Sequence, residues 1–96
     1  MIEAGENGRF VVRSAMTLPN AAAMLEEGKR LFVQPEVLVD LSQVPDIDSS
    51  GLSLLLRWSS WVKAEGRQLR YLKLDKRLDS LAQLYGVGDL IPRETE

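Results

Sequence analysis

The 96-residue chain contains no cysteine and no histidine. Disulfides, thiolate nucleophiles, cysteine or histidine zinc sites and serine–histidine–aspartate triads are therefore excluded. No apolar run approaches the roughly 20 residues that span a bilayer, and the N-terminus lacks the basic and apolar regions of a signal peptide. We therefore predict a soluble, cytoplasmic protein that holds no metal and no cofactor.

Neither sign of charge is in clear excess, because 12 lysines and arginines nearly balance 14 aspartates and glutamates and leave a net charge of −2. The chain as a whole should not be attracted to nucleic acid or to an anionic membrane. Seven of the 12 lysines and arginines lie between Arg57 and Arg77, where apolar residues interrupt them. This spacing favours the solvated faces of helices and a strand over a nucleic-acid patch. The length predicts one globular domain over residues 1–96.

Hydrophobic spacing predicts strands that alternate with helices. The predicted strands are 9–13, 37–41 and 68–74, and the predicted helices are about 21–31, about 50–64 and a last one that follows Asp75. This order, with right-handed crossovers, makes neighbouring strands parallel. The strand at 37–41 is almost continuously apolar, which is typical of a strand covered on both faces.

Turn and capping residues mark the ends of these elements. The chain is expected to turn at Pro19, with Thr17 or Asn20 as the cap of the first helix. Gly28 weakens the prediction of that helix, because glycine costs a helix about 1 kcal/mol relative to alanine. Gly66 is expected to end the second helix in the left-handed conformation, and Asp75 to cap the third.

The most informative stretch is the loop that leads from the second strand into the second helix. It places Asp48, Ser49 and Ser50 where the first backbone N–H groups of a helix need acceptors. One interpretation is that these side chains only cap the helix. Another is that a phosphate on a serine here would meet free N–H groups and the positive end of the helix dipole.

The run Asp48-Ser49-Ser50-Gly51-Leu52 resembles the signature of the STAS domain, which anti-sigma factor antagonists and certain transporter subunits share. The resemblance covers nearly the whole chain and is strongest over 37–92. It implies an α/β fold with a mixed, mostly parallel sheet of four or five strands and helices packed mainly on one side. It also implies a protein that binds another protein and is not an enzyme. In the antagonists the phosphorylated residue corresponds to Ser49.

Two branches of this family compete. The segment 81–87 and the following Ile91-Pro92 are similar to the small STAS subunit of the Mla phospholipid-transport system. This similarity implies binding to the ATPase of an ABC transporter and contact with the membrane only through that complex. The alternative is an antagonist that binds an anti-sigma factor kinase and is switched at Ser49. The pair Ser49-Ser50 is closer to the antagonists, since Mla subunits carry threonine and glycine there.

The second helix has two apolar sectors when residues are placed 100° apart. The predicted core stripe comprises Leu52, Leu55, Leu56, Ser59 and Val62. The predicted partner-binding residues are the signature residues Asp48, Ser49, Ser50 and Gly51 together with a flank of Leu54, Trp58 and Trp61. Tryptophan is enriched at interface hot spots, which favours this assignment. The alternative is that Trp58 covers the edge of the core and only Trp61 is exposed.

Overall fold

The computed structural model describes residues 1–94 and contains five strands, three α-helices and one short 3-10 helix. The strands are β1 (Ile2–Ala4), β2 (Arg9–Val12), β3 (Glu36–Asp40), β4 (Gln68–Leu72) and β5 (Arg93–Glu94). The α-helices are α1 (Leu18–Leu31), α2 (Ser49–Ala64) and α3 (Lys76–Leu84), and the 3-10 helix is Gly88–Leu90.

The strands form one mixed sheet in the order β1-β2-β3-β4-β5. β1 pairs with β2 in antiparallel orientation, and every following pair is parallel. The predicted mixed, mostly parallel sheet is confirmed. β1 was not predicted, because it has only three residues and its pairing partner lies across the Asn7-Gly8 turn.

The helices cover one face of the sheet. Phe10, Val39 and Tyr71 are buried on that face, and the Tyr71 hydroxyl donates to the backbone oxygen of Leu55 in α2 at 2.7 Å. Among residues that point to the other face, Leu38 in β3 is only half-buried, whereas Leu72 in β4 is buried. The expectation that the 37–41 strand is covered on both faces is therefore wrong, since the burial of β3 alternates along the strand.

Helix ends follow local chemistry. Gly66, with φ of 75°, lies just beyond α2, and the side chain of Asp75 accepts from the backbone N–H of Arg77 to cap α3. Both predictions are confirmed. α1 instead begins at Leu18, so Pro19 lies within its first turn, where its missing N–H costs nothing. Thr17 is the N-cap residue by position but makes no side-chain capping bond.

Trp58 and Leu54 belong to the core. Trp58 is 0% exposed and Leu54 is 3% exposed, so the predicted exposed flank of α2 is wrong for both. The indole of Trp58 packs edge-on against Phe32, with ring centroids 5.2 Å apart, and lies against the backbone of Gly28 in α1. The alternative interpretation is right that Trp58 belongs to the core, but Trp61, which it expected to be exposed, is half-buried. From the predicted core stripe Leu52, Leu55 and Val62 are buried, whereas Leu56 and Ser59 are half-buried.

Candidate functional site

The signature loop lies between two helix N-termini, and Asp48 joins them. Its Oδ1 accepts from the backbone N–H of Ser50 at 2.8 Å, in the first turn of α2. Its Oδ2 accepts from the backbone N–H of Leu18 at 2.9 Å, at the first residue of α1. The N–H of Leu18, followed by that of Ser50, holds the pKa of Asp48 below its usual range. One carboxylate therefore fixes the starts of both helices relative to each other.

Backbone contacts attach the signature loop to the segment that precedes α1. The N–H of Met16 donates to Asp46 at 2.8 Å, and the N–H of Asp48 donates back to Met16 at 3.2 Å. Gly51 is buried at this contact, and a Cβ added to it would lie 2.8 Å from the backbone oxygen of Met16. Glycine is required at position 51 because the two chain segments approach too closely for any side chain.

Arg77 of α3 also holds the β3–α2 loop in place. The guanidinium of Arg77 donates to the backbone oxygens of Val44 and Pro45 at 3.1 and 3.3 Å, and it forms an ion pair with Asp75 at 2.7 Å. The hydrogen bonds from Arg77 hold the pKa of Asp75 below its usual range. The β3–α2 loop is thus fixed from both sides. Sequence reasoning missed this role of Arg77, because its acceptors are backbone atoms about 30 residues away.

Ser49 is presented at the surface by this rigid loop. It is the first residue of α2, its side chain is exposed, and its hydroxyl makes no hydrogen bond with the described part of the chain. The N–H groups of Ser50 and Gly51 already donate to the side chain and the backbone oxygen of Asp48. The expectation that a phosphate would find these N–H groups free is therefore wrong, because Asp48 alone makes the cap.

A shallow groove starts at Ser49 and runs between α2 and the end of α3. We call it the α2–α3 groove; its cavity is about 370 Å³ and it is lined by Ser49, Ser50, Leu52, Ser53, Leu56, Tyr85 and Val87. Tyr85 is 60% exposed, and its neighbour Leu84 is 76% exposed. On the other side of the loop, Leu18 is 72% exposed. Ser49 thus lies at one end of a groove that also presents the exposed ring of Tyr85.

Of the predicted site residues, the structure brings Asp48, Ser49, Ser50 and Gly51 together at one end of α2 and places Leu54 and Trp58 in the core. Trp61 lies 12 residues beyond Ser49 on α2, about 18 Å away along the helix axis. The accessible apolar residues near Ser49 are instead Leu56 and Tyr85. The helical spacing of Leu56 from Ser49 was a signal for this side of α2, but Leu56 was assigned to the core stripe, where it is only half-buried.

The sequence matches the family profile described as Mlab, STAS domain, over residues 3–92. The chain is a STAS domain.

The fold agrees with that of solved antagonist structures. The anti-sigma factor antagonist SpoIIAA in its unphosphorylated form superposes with a TM-score of 0.70 at 16% identity, covering 100% of this chain and 88% of that one. A Thermotoga maritima protein described as an anti-sigma factor antagonist gives a TM-score of 0.72 at 12% identity, covering 99% and 86%.

At these identities the two structures show that the fold is shared, and the family profile assigns the domain type. A search of curated proteins gave no match. None of the helices within residues 1–94 has the length and apolar character of a membrane-spanning segment.

Proposed function

We propose that residues 1–96 act as one non-catalytic STAS subunit that binds the cytoplasmic ATPase of an ABC transporter for phospholipid, of the Mla type. The observation that carries this proposal is the match of residues 3–92 to the profile described as Mlab, STAS domain. The similarity of the segment 81–87 to Mla subunits supports the same branch. The subunit would stabilise or regulate the ATPase, and it would meet the inner membrane only through that complex.

The surface proposed for the ATPase consists of the exposed signature residues and the α2–α3 groove. Asp48 and Arg77 keep this surface rigid before binding, so little conformational entropy is lost on association. The apolar side chains of Leu56 and Tyr85 offer area that water now contacts, and apolar burial drives most protein association. The aromatic ring of Tyr85 is the strongest candidate for an anchor residue.

A binding role is favoured over catalysis by the chemistry of the same residues. The Asp48 carboxylate is occupied by two backbone N–H groups, and the sequence has no histidine to act as a base beside it. Within residues 1–94, no group of three or more acidic side chains is arranged to hold a metal ion. The occupied carboxylate and the lack of histidine favour a binding role over acid–base catalysis at this site.

A second function is favoured by the exposure of Ser49. In this alternative the chain is an anti-sigma factor antagonist that binds an anti-sigma factor kinase, and phosphorylation of Ser49 releases it. The hydroxyl of Ser49 is exposed and makes no hydrogen bond within residues 1–94, so a kinase could reach it. The pair Ser49-Ser50 also follows the antagonist pattern. The two functions use the same end of α2 and differ in the partner.

Co-expression distinguishes the two partners. The chain is produced with the ABC ATPase, and separately with the anti-sigma factor kinase, encoded in the same genome, and each mixture is passed over a gel-filtration column. We expect the ATPase to co-elute with the chain and the kinase to elute alone. Co-elution with the kinase, together with failure to bind any ATPase subunit, would overturn the transporter assignment.

A further inference from the structure

A second concave surface surrounds the C-terminal half of α2. Its cavity of about 1210 Å³ is lined by residues of α1, α2, β4 and the 3-10 helix. Lys63, near its far end, is 14 residues from Ser49, which corresponds to about 21 Å along the helix axis. This surface, which we call the basic groove, therefore extends well beyond the site proposed for the ATPase and meets it only at Leu56.

The charged residues of the basic groove have predominantly one sign. Five are cationic and one is acidic, namely Lys29, Arg57, Lys63, Arg67 and Arg70 against Asp89. Because the whole chain has a net charge of −2, this excess is local. A concave surface of one charge sign concentrates the field and attracts ligands of the opposite sign.

Two of these five cations have no acidic partner within residues 1–94. Arg67 is paired with Glu65 at 2.6 Å, Arg70 with Glu36 and Glu94, and Lys29 with Glu26 at 3.9 Å. Arg57 and Lys63 are exposed and form no ion pair within residues 1–94. Lys63 lies in the last turn of α2, where a cation offsets the helix dipole. Arg57 lies in the middle of α2 and has no such structural role.

Apolar groups lie beside these charges. The guanidinium of Arg67 is 5.0 Å from the centre of the Trp61 ring, and Arg67 is held in place by donating to the backbone oxygens of Phe32 and Gln34. This leaves a half-buried indole in a fixed position. Leu90, on the 3-10 helix, is 64% exposed and lines the same groove. The basic groove therefore offers both cationic and apolar contacts to a ligand.

We propose that the basic groove binds an acidic segment of a partner protein, with carboxylates facing Arg57 and Lys63 and large apolar side chains facing Trp61 and Leu90. A flexible peptide fits a concave groove, whereas a bilayer presents a broad surface that would reach only its rim. A nucleic acid is disfavoured by the net charge of −2 and by the pairing of Arg67 and Arg70 with carboxylates. The proposal does not depend on which partner occupies the α2–α3 groove.

Selection from a library of random peptides displayed on phage tests the proposal. The immobilised full chain should enrich peptides in which aspartate or glutamate adjoins a large apolar residue. The double variant Arg57→Glu/Lys63→Glu should lose this enrichment, because its charges repel such peptides. Enrichment without acidic residues, or the same acidic peptides selected by both proteins, would overturn the proposal.

Titration of one selected peptide then locates the site. We expect the indole N–H signal of Trp61 to shift in NMR spectra while that of the buried Trp58 does not. The dissociation constant should rise at least about tenfold in the double variant and stay unchanged in Ser49→Asp, which separates this site from the ATPase surface. Binding to phosphatidylglycerol vesicles that is lost in the double variant, with no peptide selected, would assign the groove to the membrane and contradict the proposal.

Discussion

Gly28 of α1 lies directly against the indole of Trp58 in α2, so closely that a Cβ on Gly28 would overlap the indole nitrogen. Glycine weakens a helix, and position 28 tolerates this because no larger residue leaves space for the tryptophan. The two helices can therefore approach each other over a fully buried aromatic side chain.

The first prediction follows from this contact. Gly28→Ala should lower the free energy of unfolding by about 1–3 kcal/mol through overpacking, although alanine is the better helix former. Urea denaturation measures the change. The control is Ala23→Gly at an exposed position of the same helix, which should cost about 1 kcal/mol from helix propensity alone. A stabilised Gly28→Ala variant would show that α1 and α2 are less closely packed than described.

Asp48 should make the free energy of unfolding depend on pH in the acidic range. Its pKa lies below the ordinary 3.8 in the folded chain, so the stability it adds is complete above pH 3.8 and is lost as the pH falls through the lower folded value. Asp48→Asn keeps a capping oxygen but removes the charge. It should be less stable than the parent at pH 7, and this difference should shrink below pH 3.8.

Urea midpoints between pH 2 and pH 7 measure the effect of Asp48→Asn. The exposed Asp89, which makes no capping bond, provides the control variant Asp89→Asn. A stability difference between Asp48→Asn and the parent that does not change with pH would show that the charge of Asp48 is not coupled to the two helix starts.

Ser49→Asp should fold as well as the parent and bind its partner poorly. The side chain is exposed, so the free energy of unfolding should change by no more than about 0.5 kcal/mol, and an acidic residue in the first helical turn is favourable. At an interface, however, the new charge would lie beside Asp48 and Asp46, away from water.

Thermal unfolding and partner titration measure the two effects of Ser49→Asp, with Ser49→Ala as the variant that should keep most of its binding. If Ser49→Asp binds as tightly as the parent, Ser49 lies outside the interface. If it does not fold, the position is not the open surface described above.

Tyr71 provides a prediction at alkaline pH. Its phenol is fully buried and donates to the Leu55 oxygen, and burial raises the pKa of Tyr71 well above 10.0. The stability that depends on its protonated state is complete below pH 10.0 and is lost as the pH rises beyond that value.

Tyr71→Phe should cost about 1 kcal/mol at pH 7 from the lost hydrogen bond. Between pH 8 and pH 11, the stability of Tyr71→Phe should also fall less than that of the parent. Urea midpoints over this pH range measure the difference. Equal stability of parent and variant at pH 7, with parallel alkaline curves, would show that the phenol is not a buried donor.

Sequence reasoning worked best where the determining contacts are local. The start of α2, the left-handed Gly66 and the Asp75 cap each depend on neighbours within one helical turn, so composition and spacing predict them. The family resemblance located the signature residues for the same reason, since they are contiguous.

The errors concern residues whose environment is set by distant parts of the chain. Trp58 is buried because Gly28, 30 residues earlier, leaves room for it, and no pattern within α2 reveals that space. Asp48 also accepts from the N–H of Leu18, 30 residues away, and the loop sequence alone does not reveal this contact with α1. Which side of α2 stays open depends on where α3 ends, at Leu84, just before Tyr85.

The affinity of Tyr85→Ala for the ATPase decides whether the α2–α3 groove is the surface that binds it. The matched control is Val33→Ala, since Val33 is 61% exposed, close to the 60% of Tyr85, but lies outside the α2–α3 groove, after α1. By isothermal titration we expect Tyr85→Ala to weaken binding by at least about 1 kcal/mol and Val33→Ala to bind as the parent does. Unchanged binding by Tyr85→Ala, with the complex still formed, would show that the α2–α3 groove is not the ATPase-binding surface.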